Sequence, residues 1–107
     1  MSTKKASHPA YVALVESLEP DYGNLTTGSM FGMPCVKHNG KARFGAYDGG
    51  VVFKLDGTAH GQALALAGSV LFDPSGKGRP MKAWVVVKPD HQASWFALAK
   101  AALEMAP

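Results

Sequence analysis

Met33-Pro34-Cys35-Val36-Lys37-His38-Asn39-Gly40-Lys41-Ala42-Arg43-Phe44-Gly45-Ala46-Tyr47-Asp48-Gly49-Gly50-Val51-Val52-Phe53-Lys54-Leu55 is the stretch on which the fold turns. Asn39-Gly40 is the strongest two-residue hairpin signal, because both central positions of a type I′ turn need positive φ. It pairs His38 with Lys41, Val36 with Arg43, Cys35 with Phe44 and Met33 with Ala46. A second hairpin at Gly49-Gly50 pairs Ala46 with Phe53 and Phe44 with Leu55, whereas a three-residue loop at 48–50 would turn Phe53 to the wrong face. In this reading Cys35–Phe44–Leu55 and Met33–Ala46–Phe53 are cross-strand rows on one face. Val36–Arg43, Gly45–Lys54 and Tyr47–Val52 lie on the other.

Helical spacing flanks this unit. Ser7 reads as an N-cap and Pro9 is tolerated in a first turn; Tyr11, Leu14, Val15 and Leu18 then recur on one face until Pro20 ends the helix near Leu18. Residues 21–28 are polar and turn-rich. After Asp56 the pattern is helical through Ala59, Ala63, Leu64 and Leu66 to Gly68, a residue suited to a C′ position, although Gly61 costs about 1 kcal/mol relative to Ala. Residues 70–72 read as a short strand and 73–80 as a loop. Residues 81–88 alternate, with Met81, Ala83, Val85 and Val87 opposite Lys82, Trp84, Val86 and Lys88. A last helix begins near Pro89 or Asp90 and buries Trp95, Leu98, Ala99, Ala102 and Met105. The expected fold is α+β, of order α-β(3)-α-β(2)-α: a five-stranded antiparallel sheet with its helices mainly on one face.

The chain has 107 residues, of which 47% are hydrophobic and 18% charged. That suits a single domain spanning 1–107 with an ordered core at about 7–105, and excludes a disordered tail. The longest stretch free of Asp, Glu, Lys and Arg, from Gly57 to Phe72, contains His60, Gln62 and Ser69 and is too short and polar for a membrane span. Lys4-Lys5 leads into an amphipathic segment and not an uninterrupted apolar one, so no secretory signal is expected. One cysteine excludes an internal disulfide and fits a reducing, cytoplasmic setting. The net charge is +3, but it is uneven. From Met33 to Lys88 there are eight basic residues against three acidic ones, a local +5.

Motifs of catalysis are missing. Gly76-Lys77-Gly78-Arg79 is no P-loop, since Leu71 stands where the first glycine belongs and no Ser or Thr follows Lys77. There is no nucleophile elbow and no dinucleotide fingerprint. His8, His38, His60 and His91 are scattered, and one cysteine cannot complete a structural zinc site. Cys35 and His38, three apart on a strand, point to opposite faces and cannot form a nucleophile–base pair; Cys35 reads as a small core residue beside Phe44. No enzyme, cofactor or metal is expected.

Two surfaces remain. On the sheet face turned from the helices, Arg43, Tyr47, Lys54, Lys82, Trp84 and Lys88 interleave cations with aromatics, as single-stranded nucleic-acid platforms do. The plainer reading is the solvated side of a sheet covered on one face. Trp84 beside Val52 and Val86 also suits a homodimer interface. The second surface is the loop Gly76, Lys77, Gly78 and Arg79, whose backbone N–H groups and charges fit an anion; its plainer reading is a soluble connector.

The residues Met30-Phe31-Gly32-Met33-Pro34-Cys35-Val36-Lys37, Gly40-Lys41 and Val52-Phe53-Lys54-Leu55 form a specific series. With Phe72-Asp73-Pro74, Gly76-Lys77-Gly78-Arg79-Pro80-Met81 and Trp84, in this order and spacing, the chain resembles the TfoX N-terminal domain family over about residues 10–104. The resemblance implies the same α-β(3)-α-β(2)-α domain. It also implies a kinship with bacterial regulators of natural competence, in which this domain precedes a C-terminal one that has no counterpart before Pro107. The family supplies no catalytic residue to carry over. The expectation is therefore a non-catalytic regulatory or accessory module acting through a protein partner. Weak nucleic-acid binding and a small anion-ligand site are the alternatives.

Overall fold

In the computed structural model of the chain, which describes residues 9–30, 33–47, 50–73, 78 and 80–104, the Asn39-Gly40 turn forms as its sequence demands. φ is +55° at Asn39 and +82° at Gly40, and His38 pairs with Lys41. The elements are α1 (Pro9–Leu18), β1 (Leu25–Met30), β2 (Met33–His38), β3 (Lys41–Tyr47), β4 (Gly50–Lys54), α2 (Gly57–Ala65), β5 (Val70–Phe72), β6 (Met81–Val87) and α3 (Gln92–Leu103). Short 3₁₀ turns at Glu19–Asp21 and Pro89–His91 each hold a proline within their first two positions.

The sheet has six strands in the order β1-β2-β3-β4-β6-β5, every neighbouring pair antiparallel. The α+β class and the antiparallel sheet agree with the sequence; the five-strand count does not. The additional strand is β1, in a segment whose polar character reads as a turn. It is an edge strand, so Thr26, Thr27 and Ser29 stay exposed and no apolar alternation develops.

Both hairpin registers also differ in detail. Between Val36 and Lys37 the ladder to β3 slips: Lys37 pairs with Ala42 and Val36 with Phe44, leaving Arg43 as the extra residue of a β-bulge. Cys35 therefore faces Gly45 and not Phe44. In the second hairpin Tyr47 pairs with Gly50 and Phe44 with Phe53, two residues away from the Gly49-Gly50 reading. Gly50 belongs to the strand because β6 runs against it: a Cβ there would lie 2.4 Å from the Val87 carbonyl oxygen. A shift of two keeps each β4 side chain on its face, whereas the bulge moves β2 by one and reverses it.

Consequently Val36, Phe44, Ala46, Val51, Phe53, Leu55, Val85 and Val87 form the sheet's contribution to the main core. Tyr11, Leu14 and Leu18 of α1, Ala63 of α2, and Trp95, Leu98, Ala99, Ala102 and Leu103 of α3 complete it. Tyr11 meets Phe44 edge-on, with ring centroids 6.1 Å apart, and Phe44 meets Phe53 at 5.9 Å. Such pairs add about 1 kcal/mol beyond the area they bury. α2 ends at Ala65, earlier than the spacing suggests, and Gly68 with φ of +85° shapes the turn that follows. The Ser7 cap and the Met105 position lie outside the described residues. Among the described residues no helix is long and apolar enough to cross a membrane.

Candidate functional site

The face away from the helices has a floor built of successive cross-strand partners, Gly28, Cys35, Gly45, Val52, Val86 and Val70, one from each of the six strands. Gly45 is a steric necessity, whereas Gly28 is crowded only by the flexible end of Lys37. A Cβ on Gly45 would sit 2.7 Å from the Pro34 carbonyl oxygen and 3.2 Å from Cys35 Cβ; one on Gly28 would meet Lys37 Cε at 3.0 Å.

This face is not an open platform. Met33, Val52, Phe72 and Trp84 form a second apolar cluster on it, and Ala42, Met81, Ala83 and Val86 pack against that cluster. Met81 and Ala83 thus sit with Trp84, not opposite it as strict alternation of β6 suggests. Trp84, expected to be exposed, is 8% exposed, and Val52 is wholly buried. The cover comes from the chain's own residues. Tyr47 keeps an exposed edge and packs against Phe72 with centroids 5.0 Å apart.

The cations of this face part company. Lys82 and Lys88 are exposed, and Lys88 reaches across Gly68, its Cδ 2.9 Å from where a Cβ would be. Lys54 is half-buried and pairs with Trp84 across the β4–β6 ladder. Arg43 is 4% exposed, and its buried Nε has no hydrogen-bond partner. A cleft of about 250 Å³ opens at the far end of the face between Tyr47, Val70, Phe72 and Val86, with Lys88 and Asp73 as its charged rim.

In the predicted anion loop, Gly76, Lys77 and Arg79 lie outside the described residues. Gly78 adopts a left-handed φ of +78°, and its N–H donates to Asp73 Oδ2 at 2.9 Å, so this donor serves an internal carboxylate. Two histidines bond within the chain: one ring nitrogen of His60 bonds the Lys82 carbonyl at 2.6 Å, and one of His91 bonds the Ala67 carbonyl at 2.8 Å. Among the described residues no group of three or more His, Cys, Asp or Glu side chains is placed to hold a metal. Cys35 is buried, as expected, and burial pushes its thiol pKa up while Lys37 opposes the shift. A raised pKa leaves little thiolate at neutral pH.

On the helix side, a cleft of about 480 Å³ lies between α1 and the β1–β2 hairpin, which sequence spacing does not announce. Tyr11, Val12 and Val15 form one wall and Thr27, Gly28, Pro34 and Cys35 the other, with Glu16 and Glu19 beside them. The signal that could have located it is the β-branched Thr26-Thr27 pair after Leu25, which favours a strand next to the helix. Comparison with known proteins adds nothing to this geometry: no family model, curated protein or solved structure matches the chain.

Proposed function

We propose that the chain is a non-catalytic interaction module, of the TfoX N-terminal type its sequence resembles, that binds an extended segment of another protein along β1. The observation that carries this reading is the 480 Å³ cleft beside an edge strand. β1 has one neighbour only, so its outer edge presents backbone donors and acceptors to a further strand. The wall of Tyr11, Val12 and Val15 can take alternate apolar side chains of that strand. Glu16 and Glu19 are exposed on the same cleft and select a segment that carries Lys or Arg. Buried Trp84 weakens the alternative of base stacking, because a ring covered by Phe72 and Met33 offers no face to a nucleobase.

Selection from a random octapeptide display tests the reading. Binders should alternate apolar and polar residues and be rich in Lys or Arg, and a Glu16→Lys/Glu19→Lys variant should lose them at least tenfold. Peptides without that pattern, binding unaffected by the charge reversal, or self-association through β1 in place of peptide binding would each defeat it.

A further inference from the structure

We infer that the cleft at the β5 end of the sheet face away from the helices is a site for a small monocarboxylate with a flat apolar body, its carboxylate held by Lys88. The inference does not rest on the peptide cleft, which lies beside β1 at the opposite edge of the sheet.

A gap in the side-chain cover makes this cleft. Tyr47 pairs with Gly50 on β4, and Lys88 follows the last residue of β6, beside both Gly50 and Gly68. A Cβ at position 50 would lie 2.4 Å from the Val87 carbonyl oxygen and 3.3 Å from Lys88 Cα. One at position 68, where φ is +85°, would lie 2.9 Å from Lys88 Cδ. Gly50 thus leaves the space between Tyr47 and Lys88 without a side chain, and about 250 Å³ stay open there.

The lining is apolar and partly preformed. Val70 is 56% exposed and Tyr47 39%, so two of the five large apolar side chains left open to water among the described residues meet in one cleft, with Val86 between strands β4 and β5 as part of its lining. Exposed apolar surface gathered in a concavity marks a contact site more than a solvated face. The Tyr47 ring is held edge to face by Phe72, with centroids 5.0 Å apart at 70°, which gives a flat ligand a ready wall.

The cation is seated and unpartnered. The Lys88 stem lies across Gly68, its Cε 3.1 Å and its Nζ 3.4 Å from where a Cβ would be, which sets the ammonium beside the cleft that Lys88 lines. Among the described residues this ammonium has neither an ion pair nor a hydrogen bond. Asp73 is the other charge of the rim, and its Oδ2 accepts from the Gly78 N–H. A ligand with two negative charges would meet this carboxylate as well as Lys88, so the rim favours a monoanion over a dianion. Size narrows the choice further. A cavity of roughly 150 Å³ holds benzene, so one of about 250 Å³ takes a single ring with its carboxylate and little more.

The probe is sodium benzoate, titrated into ¹⁵N-labelled wild-type protein at neutral pH and matched ionic strength. Benzyl alcohol supplies the ring without the charge, acetate the charge without the ring, and phenyl phosphate the ring with two charges. The amide resonances of Gly50, Gly68, Val70 and Lys88 should move together and saturate with benzoate in the low millimolar range. Each of the other three compounds should bind about threefold to fivefold more weakly or worse. Lys88→Met alters an exposed side chain, so the fold is kept, and benzoate should fall to the level of benzyl alcohol. Asp73→Asn should narrow the gap between phenyl phosphate and benzoate. The site is overturned by the absence of a saturating shift at those four amides, by benzyl alcohol or phenyl phosphate binding as well as benzoate, or by Lys88→Met leaving benzoate binding unchanged. The first readings are made on unaltered protein, so misfolding of a variant does not mask the answer.

Discussion

Truncating Trp84 to alanine separates a covered second face from an open binding platform. Trp84 is 8% exposed and shares a cluster with Met33, Val52 and Phe72. Removing an aromatic from such a site costs about 3–5 kcal/mol, lost transfer energy and residual cavity together. The lower end applies here, because this cluster is one side-chain layer deep and part of the void can collapse. About 3 kcal/mol is a large share of the roughly 5–15 kcal/mol that holds a domain of this size, and lowers its midpoint by roughly 15 °C. The assay is urea unfolding followed by far-ultraviolet circular dichroism, with Val70→Ala as the internal reference. Val70 is on the same face, on edge strand β5, and is 56% exposed, so its truncation should change stability by no more than about 0.5 kcal/mol. If Trp84→Ala and Val70→Ala cost the same small amount, Trp84 is a surface residue and the face is not covered by the chain's own side chains. The nucleic-acid reading would then regain its stacking ring.

Other perturbations test separate parts of the structure. Gly50→Ala should cost about 1–3 kcal/mol because its Cβ would press on the Val87 carbonyl, whereas Gly61→Ala, with nothing within 4 Å, should gain about 0.5–1 kcal/mol; equilibrium unfolding of the two variants must give opposite signs. Arg43→Met should stabilise by about 1–3 kcal/mol through loss of an unmet buried donor, and a loss of stability there would mean the guanidinium has an internal partner. Alkaline unfolding should follow the tyrosines. Burial and the hydrogen bond to Glu104 push the Tyr22 phenol up to about 12, and burial raises Tyr11 as well. A phenol whose folded pKa exceeds its unfolded value near 10 holds its proton longer when folded, so its contribution is complete below pH 10 and declines toward pH 12. Tyr22→Phe should flatten that decline in pH-dependent denaturation, and an unchanged slope would dismiss the Tyr22 contact.

What the sequence made legible was set by strength of local signal. Asn39-Gly40 admits one turn, and the structure has it; the α1 and α3 stripes around Leu14 and Leu98 are buried as their spacing requires. β1 escaped because an edge strand has no second neighbour to bury it, so Thr26, Thr27 and Ser29 need no apolar partners. Gly50 escaped because what fixes it is the Val87 backbone, 37 residues later in the chain and invisible to any local window. The candidate site was legible in composition and misplaced in exposure. Lys82 and Lys88 are on the surface, but Arg43 and Trp84 are not; Trp84 is buried in a cluster with Met33, Val52 and Phe72, which come from distant strands.

The bulge at Arg43 changes every partner between β2 and β3 on its Val36 side. Had β3 paired without it, Cys35 would stand opposite Phe44 and Val36 opposite Arg43, as the regular register requires. Val36 would then leave the main core, in which it is 1% exposed, and the charge would meet solvent on the outer face. One inserted residue instead puts Val36 beside Phe44 and brings Cys35 and Gly45 together as floor. It leaves Arg43 in the bulge, between the Lys37–Ala42 pair on one side and the apolar Val36–Phe44 and Phe44–Phe53 pairs on the other. A sheet gains nothing in backbone hydrogen bonding from this irregularity, because the extra residue is left without a ladder partner. The main core gains Val36, and that accounts for the shift on β2. It does not account for an arginine in the bulge, where a methionine of similar reach would fill the space without an unmet donor. The identity of residue 43, and not the bulge itself, is therefore the part of this fold that costs stability.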